Sequence, residues 1–230
     1  MTPPQYPASL RNLMNSFKHS PCNRWNLYVI TDIGMAAPRS YKEIVFDVLD
    51  GGANVIQIRD KETPFDMLAD ICRDLRPIFH RHDAMMIIND DPILAAESGA
   101  DGIHVGQDDM SIAEVRAIVG PETIIGLSTH TKQQALDAES SGADYIGIGP
   151  IFPTLTKEMY CPALGLEMLE WAAGTLKIPF VPIGGIGKDN IYNVWRVAYR
   201  APAVISAIMK AGNLAEATRD LINRMKKGGQ

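Results

Sequence analysis

An α/β fold, a TIM (β/α)8 barrel in a single domain with a short N-terminal extension, is predicted by three features of the sequence. The first is a repeat. Residues 51–59 (GGANVIQIR), 98–106 (SGADGIHVG) and 141–149 (SGADYIGIG) each run from a Gly-Ala-Asp or Gly-Ala-Asn turn through a short apolar stretch to polar or glycine residues. Their starts lie 47 and 43 residues apart, which leaves room for a further strand–helix unit between each pair. The second is strict alternation of strand candidates with segments long enough for helices. The third is length, since 230 residues suit one such barrel and no linker or break in composition divides them. A doubly wound open sheet is the alternative, and it would not naturally set a Gly-Ala-Asp turn before every second strand at even spacing.

Residues 1–24 read as an extension before the first strand that covers the barrel floor or a partner subunit, with a disordered tail as the simpler alternative; within it, 8–18 could form a short helix. The catalytic barrel is then 25–230. Strands are predicted over 27–31 (LYVIT), 54–58 (NVIQI), 85–88 (MMII), 101–105 (DGIHV), 123–127 (TIIGL), 144–148 (DYIGI), 179–183 (PFVPI) and 202–206 (PAVIS). Their Ile- and Val-rich runs suit parallel strands buried on both faces. Helix starts carry capping-box pairs, in which a small polar side chain and an acid or amide three residues on satisfy the first free amides. These are Ser40 with Glu43, Ser111 with Glu114, Thr131 with Gln134, and Asn213 with Glu216. Gly52, Gly99, Gly120 and Gly142 mark helix ends. The helix over 131–141 gathers Ala135, Leu136 and Ala138 into an apolar face that can pack on strands. Residues 150–164, with Pro150, Pro153 and Pro162, form an irregular loop of a length that is usually functional.

A net charge of −5 argues against a broad basic surface for nucleic acid, while leaving room for a local cationic pocket. Cys22, Cys72 and Cys161 have no zinc-ligand spacing, and so sparse and odd a count fits a reducing cytosol. Cys161 falls in an active-face loop, although a spectator thiol is the simpler reading. No run approaches the roughly 20 apolar residues of a membrane helix, and the N-terminus lacks the regions of a signal peptide. The expectation is a cytoplasmic protein acting on small molecules, with neither nucleic acid nor membrane as partner. A homo-oligomer is open.

In a (β/α)8 barrel the active site is built at the C-terminal ends of the strands. The unusual residues of this chain fall there: Gln57, Arg59 and Lys61 after the second strand; Asn89, Asp90 and Asp91 after the third; Asp108 and Asp109 after the fourth; Ser128 and His130 after the fifth. Thr154, Thr156 and Lys157 follow the sixth, Gly184 and Gly185 the seventh, and Ser206 the eighth. Carboxylates beside cations can form plain ion pairs. Asp90 and Asp109, from neighbouring strands, also make a hard-oxygen site suited to Mg2+. With Arg59, Lys61 and Lys157 on the same mouth, a diphosphate is the better ligand. Glycines at 184–185 before a helix let the backbone approach a second phosphate, at the usual phosphate position of this fold.

These motifs resemble thiamine-phosphate synthase (thiamine-phosphate pyrophosphorylase). The matching stretches are 27–32 (LYVITD), 57–61 (QIRDK), 88–91 (INDD), 101–109 (DGIHVGQDD), 126–131 (GLSTHT), 147–157 (GIGPIFPTLTK), 184–186 (GGI) and 204–208 (VISAI), in family order from about residue 26 onward. The resemblance implies a transferase of thiamine biosynthesis. It joins 4-amino-5-hydroxymethyl-2-methylpyrimidine diphosphate to 4-methyl-5-(2-phosphoethyl)thiazole, or its carboxylated form, giving thiamine phosphate and diphosphate. Carried over by motif, Gln57, Arg59, Lys61, Asn89, Ser128 and Lys157 bind the pyrimidine diphosphate. Of these, Arg59, Lys61, Lys157 and Ser128 are the catalytic set. Thr154, Thr156, Gly185, Ile205 and Ser206 bind the thiazole phosphate, and Asp90 and Asp109 hold Mg2+. His104 is expected to be a packed barrel residue, and His130 to support the site from behind. Two stretches depart from the family pattern: 158–162 (EMYCP), and 199–202 (YRAP) where Gly-Ala-Asp-Gly is usual.

The nearest rival is a thiazole tautomerase of the TenI type, which does not keep the full diphosphate and Mg2+ set. A phosphosugar isomerase or epimerase would need a poised acid/base pair that is not evident. A non-catalytic thiazole-phosphate-binding barrel would have little use for the whole charged set.

Overall fold

Eight short parallel strands pair in the order β7-β6-β5-β4-β3-β2-β1-β8. The computed structural model describes residues 21–154, 162–198 and 201–227. The strands are β1 Tyr28–Ile30, β2 Val55–Ile58, β3 Met85–Asn89, β4 Gly102–Val105, β5 Ile124–Thr129, β6 Tyr145–Ile148, β7 Phe180–Pro182 and β8 Ala203–Val204. A parallel bridge between Ile183 and Ala203 joins the two ends of the order, so the sheet curls into a barrel. The helices are α1 Ile33–Ala36, α2 Tyr41–Asp50, α3 Phe65–Arg81, α4 Pro92–Glu97, α5 Ile112–Val119, α6 Lys132–Ser140, α7 Gly165–Thr175, α8 Ile191–Ala198, α9 Ser206–Met209 and α10 Leu214–Lys227. No helix among the described residues is long and apolar enough to cross a membrane.

Side chains alternate across each strand, so the sheet serves two cores. Val29, Ile56, Met86, Ile103, Ile125 and Ile146 point outward into the layer between sheet and helices. Tyr28, Val55, Ile87, Tyr145, Val181 and Ala203 fill the barrel interior. Residues 1–20, most of the predicted extension, lie outside the described residues. Its last part, Pro21–Arg24, is a 3-10 turn. Cys22 within it and Trp25 just after it are buried in the interior cluster. The Trp25 ring meets Tyr28 and Tyr145 edge-on at 5.6 and 4.9 Å and closes the barrel floor. Burial pushes the Cys72 thiol up to about 12, so it is an inert packing group. Cys161 lies outside the described residues.

The repeat has a structural cause. Gly52, Gly99 and Gly142 take φ of +98°, +63° and +87°, the left-handed geometry that ends a helix. The acid or amide two residues later reaches back to the preceding strand. Asn54 Oδ1 accepts from Asn26 N at 2.9 Å, just before β1. Asp101 Oδ2 accepts from Met86 N in β3, and Asp144 Oδ2 from Ile125 N in β5, each at 2.8 Å. Each aspartate also takes an arginine from the helix that leads into the clamped strand, Arg76 of α3 at 2.7 Å and Arg116 of α5 at 2.6 Å. A fourth turn should clamp β7 from the start of β8, but Pro202 stands there and offers no side-chain acceptor. The seam it borders is the one held by a single bridge.

The capping pairs differ in detail. Ser40 and Ser111 form reciprocal boxes with Glu43 and Glu114. Thr131 accepts from Gln134 N, but Gln134 Oε1 takes His130 N at 2.7 Å rather than the Thr131 amide. Glutamine thus reaches one residue further and ties down the loop after β5. Asn213 Oδ1 accepts from Glu216 N at 3.0 Å.

Asp101→Ala should lower stability by about 1–3 kcal/mol in urea unfolding, because the buried Met86 amide loses its acceptor. A loss below about 0.5 kcal/mol, typical of a surface change, would contradict the clamp.

Candidate active site

The interior of the barrel opens at the C-terminal ends of the strands into a cavity of about 1100 Å³. That exceeds the roughly 300–1,000 Å³ of a usual small-molecule pocket, enough for two small ligands side by side. Gln57, Ser128, Thr154, Gly185, Ile205 and Ser206 all line it. Thr156 and Lys157 lie outside the described residues. Arg59, Lys61, Asn89, Asp90 and Asp109 end β3 or follow β2, β3 and β4 at the same mouth, outside the cavity lining itself.

Two positions sit deeper than the sequence placed them. Gln57 is within β2 and 2% exposed, and Ser128 is within β5. They point into the barrel, not into the loops after it. Between them runs a chain of hydrogen bonds. Gln57 Nε2 donates to Tyr28 Oη at 2.8 Å, and Tyr28 Oη meets Tyr145 Oη at 2.9 Å. His104 Nδ1 meets Tyr145 Oη, and His104 Nε2 meets Ser128 Oγ, each at 2.9 Å. His104 is packed in the barrel as predicted, but it is also a link to a predicted ligand residue. Burial holds both phenols far above the ordinary tyrosine range, so they keep their protons.

The loop after β2 is braced by residues that no sequence motif singles out. The β1–β2 ladder ends where Thr31 N donates to Gln57 O. The buried Thr31 hydroxyl then extends the pairing, accepting from Arg59 N at 3.0 Å. The Arg59 guanidinium lies 3.8 Å from Asp32, which also caps α1 through Met35 N. Asp60 sits between the two cations of this loop. It accepts from Glu62 N at 2.7 Å, Thr63 N at 2.9 Å, Thr63 Oγ1 at 2.6 Å and Tyr41 Oη at 2.7 Å. Burial would raise its carboxyl, but these bonds outweigh burial and hold it down at about 2. The signal in the sequence is a carboxylate set between Arg59 and Lys61, free to brace the loop that carries both cations.

Asp90 and Asp109 face each other more than they face the cations. Burial first, and then the negative charge of Asp109 beside it, raises the Asp90 carboxyl above the usual carboxylate range. Its bond with Asn89 and the charge of Lys61 oppose that shift. Asp90 is held by a left-handed backbone, φ +64°, and its amide donates to His104 O at 2.9 Å. Asp109 Oδ2 accepts from Gly106 N at 2.6 Å. Two adjacent carboxylates short of positive charge are the donor set a divalent cation fits.

On the opposite side of the mouth, Gly184 and Gly185 have φ of +99° and +64°. A Cβ on Gly184 would meet Pro150 Cα at 2.5 Å, and one on Gly185 would meet Pro153 O at 2.7 Å. The glycines let the turn after β7 lie against the loop after β6, beside Thr154. His130 Nδ1 holds that loop through Gly149 O at 2.6 Å.

The family model for thiamine monophosphate synthase matches residues 27–208. The thiamine-phosphate synthase of Lawsonia intracellularis is 40% identical over 189 residues, covering 82% of this chain and 87% of its own. That of Dictyoglomus thermophilum is 39% identical over 198 residues, covering 86% and 89%. A solved thiamine phosphate pyrophosphorylase from Pyrococcus furiosus superposes with a TM-score of 0.81 at 36% identity, over 94% of this chain and 98% of that one. With the same barrel and the predicted ligand residues of the described chain at one mouth, the protein belongs to the thiamine-phosphate synthase family.

Proposed function

We propose that the chain condenses 4-amino-5-hydroxymethyl-2-methylpyrimidine diphosphate with a phosphorylated thiazole, releasing diphosphate and forming thiamine phosphate in the cytoplasm. The observation that carries this reading is the convergence of Gln57, Ser128, Thr154, Gly185 and Ser206 on one cavity, beneath a mouth bearing Arg59, Lys61, Asp90 and Asp109.

The chemistry asks for charge stabilisation more than for proton transfer. The methylene–oxygen bond breaks, and its electron pair leaves with the diphosphate. The aminopyrimidine ring delocalises the resulting methylene cation. The thiazole nitrogen lone pair then forms the new carbon–nitrogen bond. Arg59 and Lys61, with Lys157 from the loop outside the described residues, would bind the departing diphosphate and stabilise its growing charge. Gln57, Asn89 and Ser128 would orient the pyrimidine. Thr154, Thr156, Gly185, Ile205 and Ser206 would hold the thiazole phosphate so that its nitrogen faces the methylene carbon. Asp90 and Asp109 would hold Mg2+, which as a Lewis acid would draw charge from the leaving group. No nucleophile–base pair is required, in keeping with a His104 committed to Tyr145 and Ser128.

Purified protein given both substrates and Mg2+ should release diphosphate and form thiamine phosphate; folded protein that binds thiazole phosphate but makes no product would sink the proposal. Asp109→Ala should raise the Mg2+ needed for half-maximal rate by more than about 100-fold, beyond what loss of a supporting residue usually costs. Thiazole-phosphate affinity should stay unchanged, and equal losses would contradict the metal assignment. A carboxyl whose folded pKa is raised costs stability as pH rises through that pKa. A bound cation offsets that cost, so Mg2+ should raise Tm at neutral pH in the wild type and not in Asp109→Ala. Thr31→Val keeps the shape but strands the Arg59 amide. It should cost about 1–3 kcal/mol of stability and raise KM for the pyrimidine diphosphate more than for the thiazole phosphate. Equal KM values with wild-type stability would show that Thr31 does not hold the loop.

A further inference from the structure

We propose that Tyr28, Tyr145 and His104 are positioning residues that fix which hydrogen-bonding face Gln57 and Ser128 turn toward the pyrimidine substrate. This rests on the function proposed above and deepens it at the same site.

The argument is one of proton counting along the interior chain. Gln57 turns its amide nitrogen, a donor only, toward Tyr28 Oη at 2.8 Å. A fully buried phenol must place its own proton on an acceptor. Tyr28 therefore donates to Tyr145 Oη, 2.9 Å away. Tyr145, already accepting, donates in turn to His104 Nδ1 at 2.9 Å. A ring whose Nδ1 accepts carries its proton on Nε2 in the neutral form. His104 Nε2–H thus donates to Ser128 Oγ at 2.9 Å. Ser128 is left with its hydroxyl proton for a ligand, and Gln57 with its carbonyl oxygen as an acceptor. A ligand that offers one acceptor and one donor, as the ring nitrogens and amino group of an aminopyrimidine do, satisfies both.

The barrel is built to hold this chain. In the pairing register Gly126 of β5 lies directly between His104 of β4 and Tyr145 of β6. A Cβ on Gly126 would lie 2.5 Å from His104 Nδ1 and collide outright with the Tyr145 ring. Gly147, in register with Ser128, would bring a Cβ to 3.2 Å from His104 Cε1. Two interior glycines thus make the room in which the two rings meet. The Trp25 ring, 4.9 Å from Tyr145, closes the space from below.

The first test is nitrogen NMR of the wild-type protein labelled in histidine, with the His104 ring assigned through its own side-chain couplings. We expect the neutral Nε2–H form at neutral pH. A proton on Nδ1 instead, or on both nitrogens, overturns the proposal whether or not the protein is a synthase. The second is kinetic. Tyr145→Phe keeps the ring but breaks the chain at its middle. It should erase the tautomer preference and raise KM for the pyrimidine diphosphate about tenfold, with KM for the thiazole phosphate within twofold of wild type. Tyr28→Phe frees Gln57 and takes away the donor to Tyr145, but Tyr145 must still place its own proton on His104 Nδ1, so the same KM should rise while His104 keeps its tautomer. A purely structural role predicts lower Tm with both KM values unchanged, and that result overturns the proposal. Absence of any turnover in the wild type would count against the proposed function and leave the tautomer measurement standing.

Discussion

The contact between the Tyr28 and Tyr145 phenols, 2.9 Å across the barrel interior, is the one on which the site above it depends. A closed eight-stranded barrel leaves a volume that side chains must fill. Most of this interior is filled by aliphatic groups, but one level is filled by two phenols and an imidazole. Burying such groups is costly unless each finds a partner. Here each partner is another member of the same chain, and its two ends are predicted ligand residues. Packing and recognition are therefore one arrangement: the rings that close the lower barrel also set the cavity floor. Gly126 and Gly147 are the other side of that bargain, since any side chain there would take the space of the rings.

Above this floor the mouth is divided by charge. On the β2–β4 side, Arg59 is fixed through its backbone by Thr31, and Asp60 ties the loop to Tyr41 and Thr63. These bonds order a cationic loop before any ligand arrives, which lowers the entropy lost on binding. Asp90 and Asp109 are held by backbone contacts to His104 and Gly106, close enough that one raises the pKa of the other. Across the mouth, the glycine turn after β7 and the loop after β6 lie against each other. His104 links the levels: its ring joins the floor and its carbonyl holds the Asp90 amide.

Much of this was legible in the chain itself, for local reasons. A Gly-Ala-Asp turn before an Ile- and Val-rich run specifies a helix end and a buried strand without reference to the rest of the fold. The eight strands accordingly fall where they were read, each within a few residues. Ser40 and Ser111 cap their helices because their partners lie three residues away. The polar residues at strand ends converge because strand direction alone places them at one mouth.

What the chain by itself determined was therefore the alternation of elements, the barrel and the end at which the site lies, since periodicity and turn chemistry act over a few residues. Only the tertiary structure decided the partners of the buried polar groups. That Asp101 and Asp144 clamp the strand before their own, that Gln57 and Ser128 face inward, and that Asp60 meets Tyr41 are facts of register and of the distance between elements. The joining of Tyr28 to Tyr145 across 117 positions of sequence is the clearest case. Neither tyrosine differs in sequence from an ordinary core residue. Their meeting exists because a sheet that closes on itself brings β1 and β6 to opposite walls of one narrow interior, where two phenols must satisfy each other.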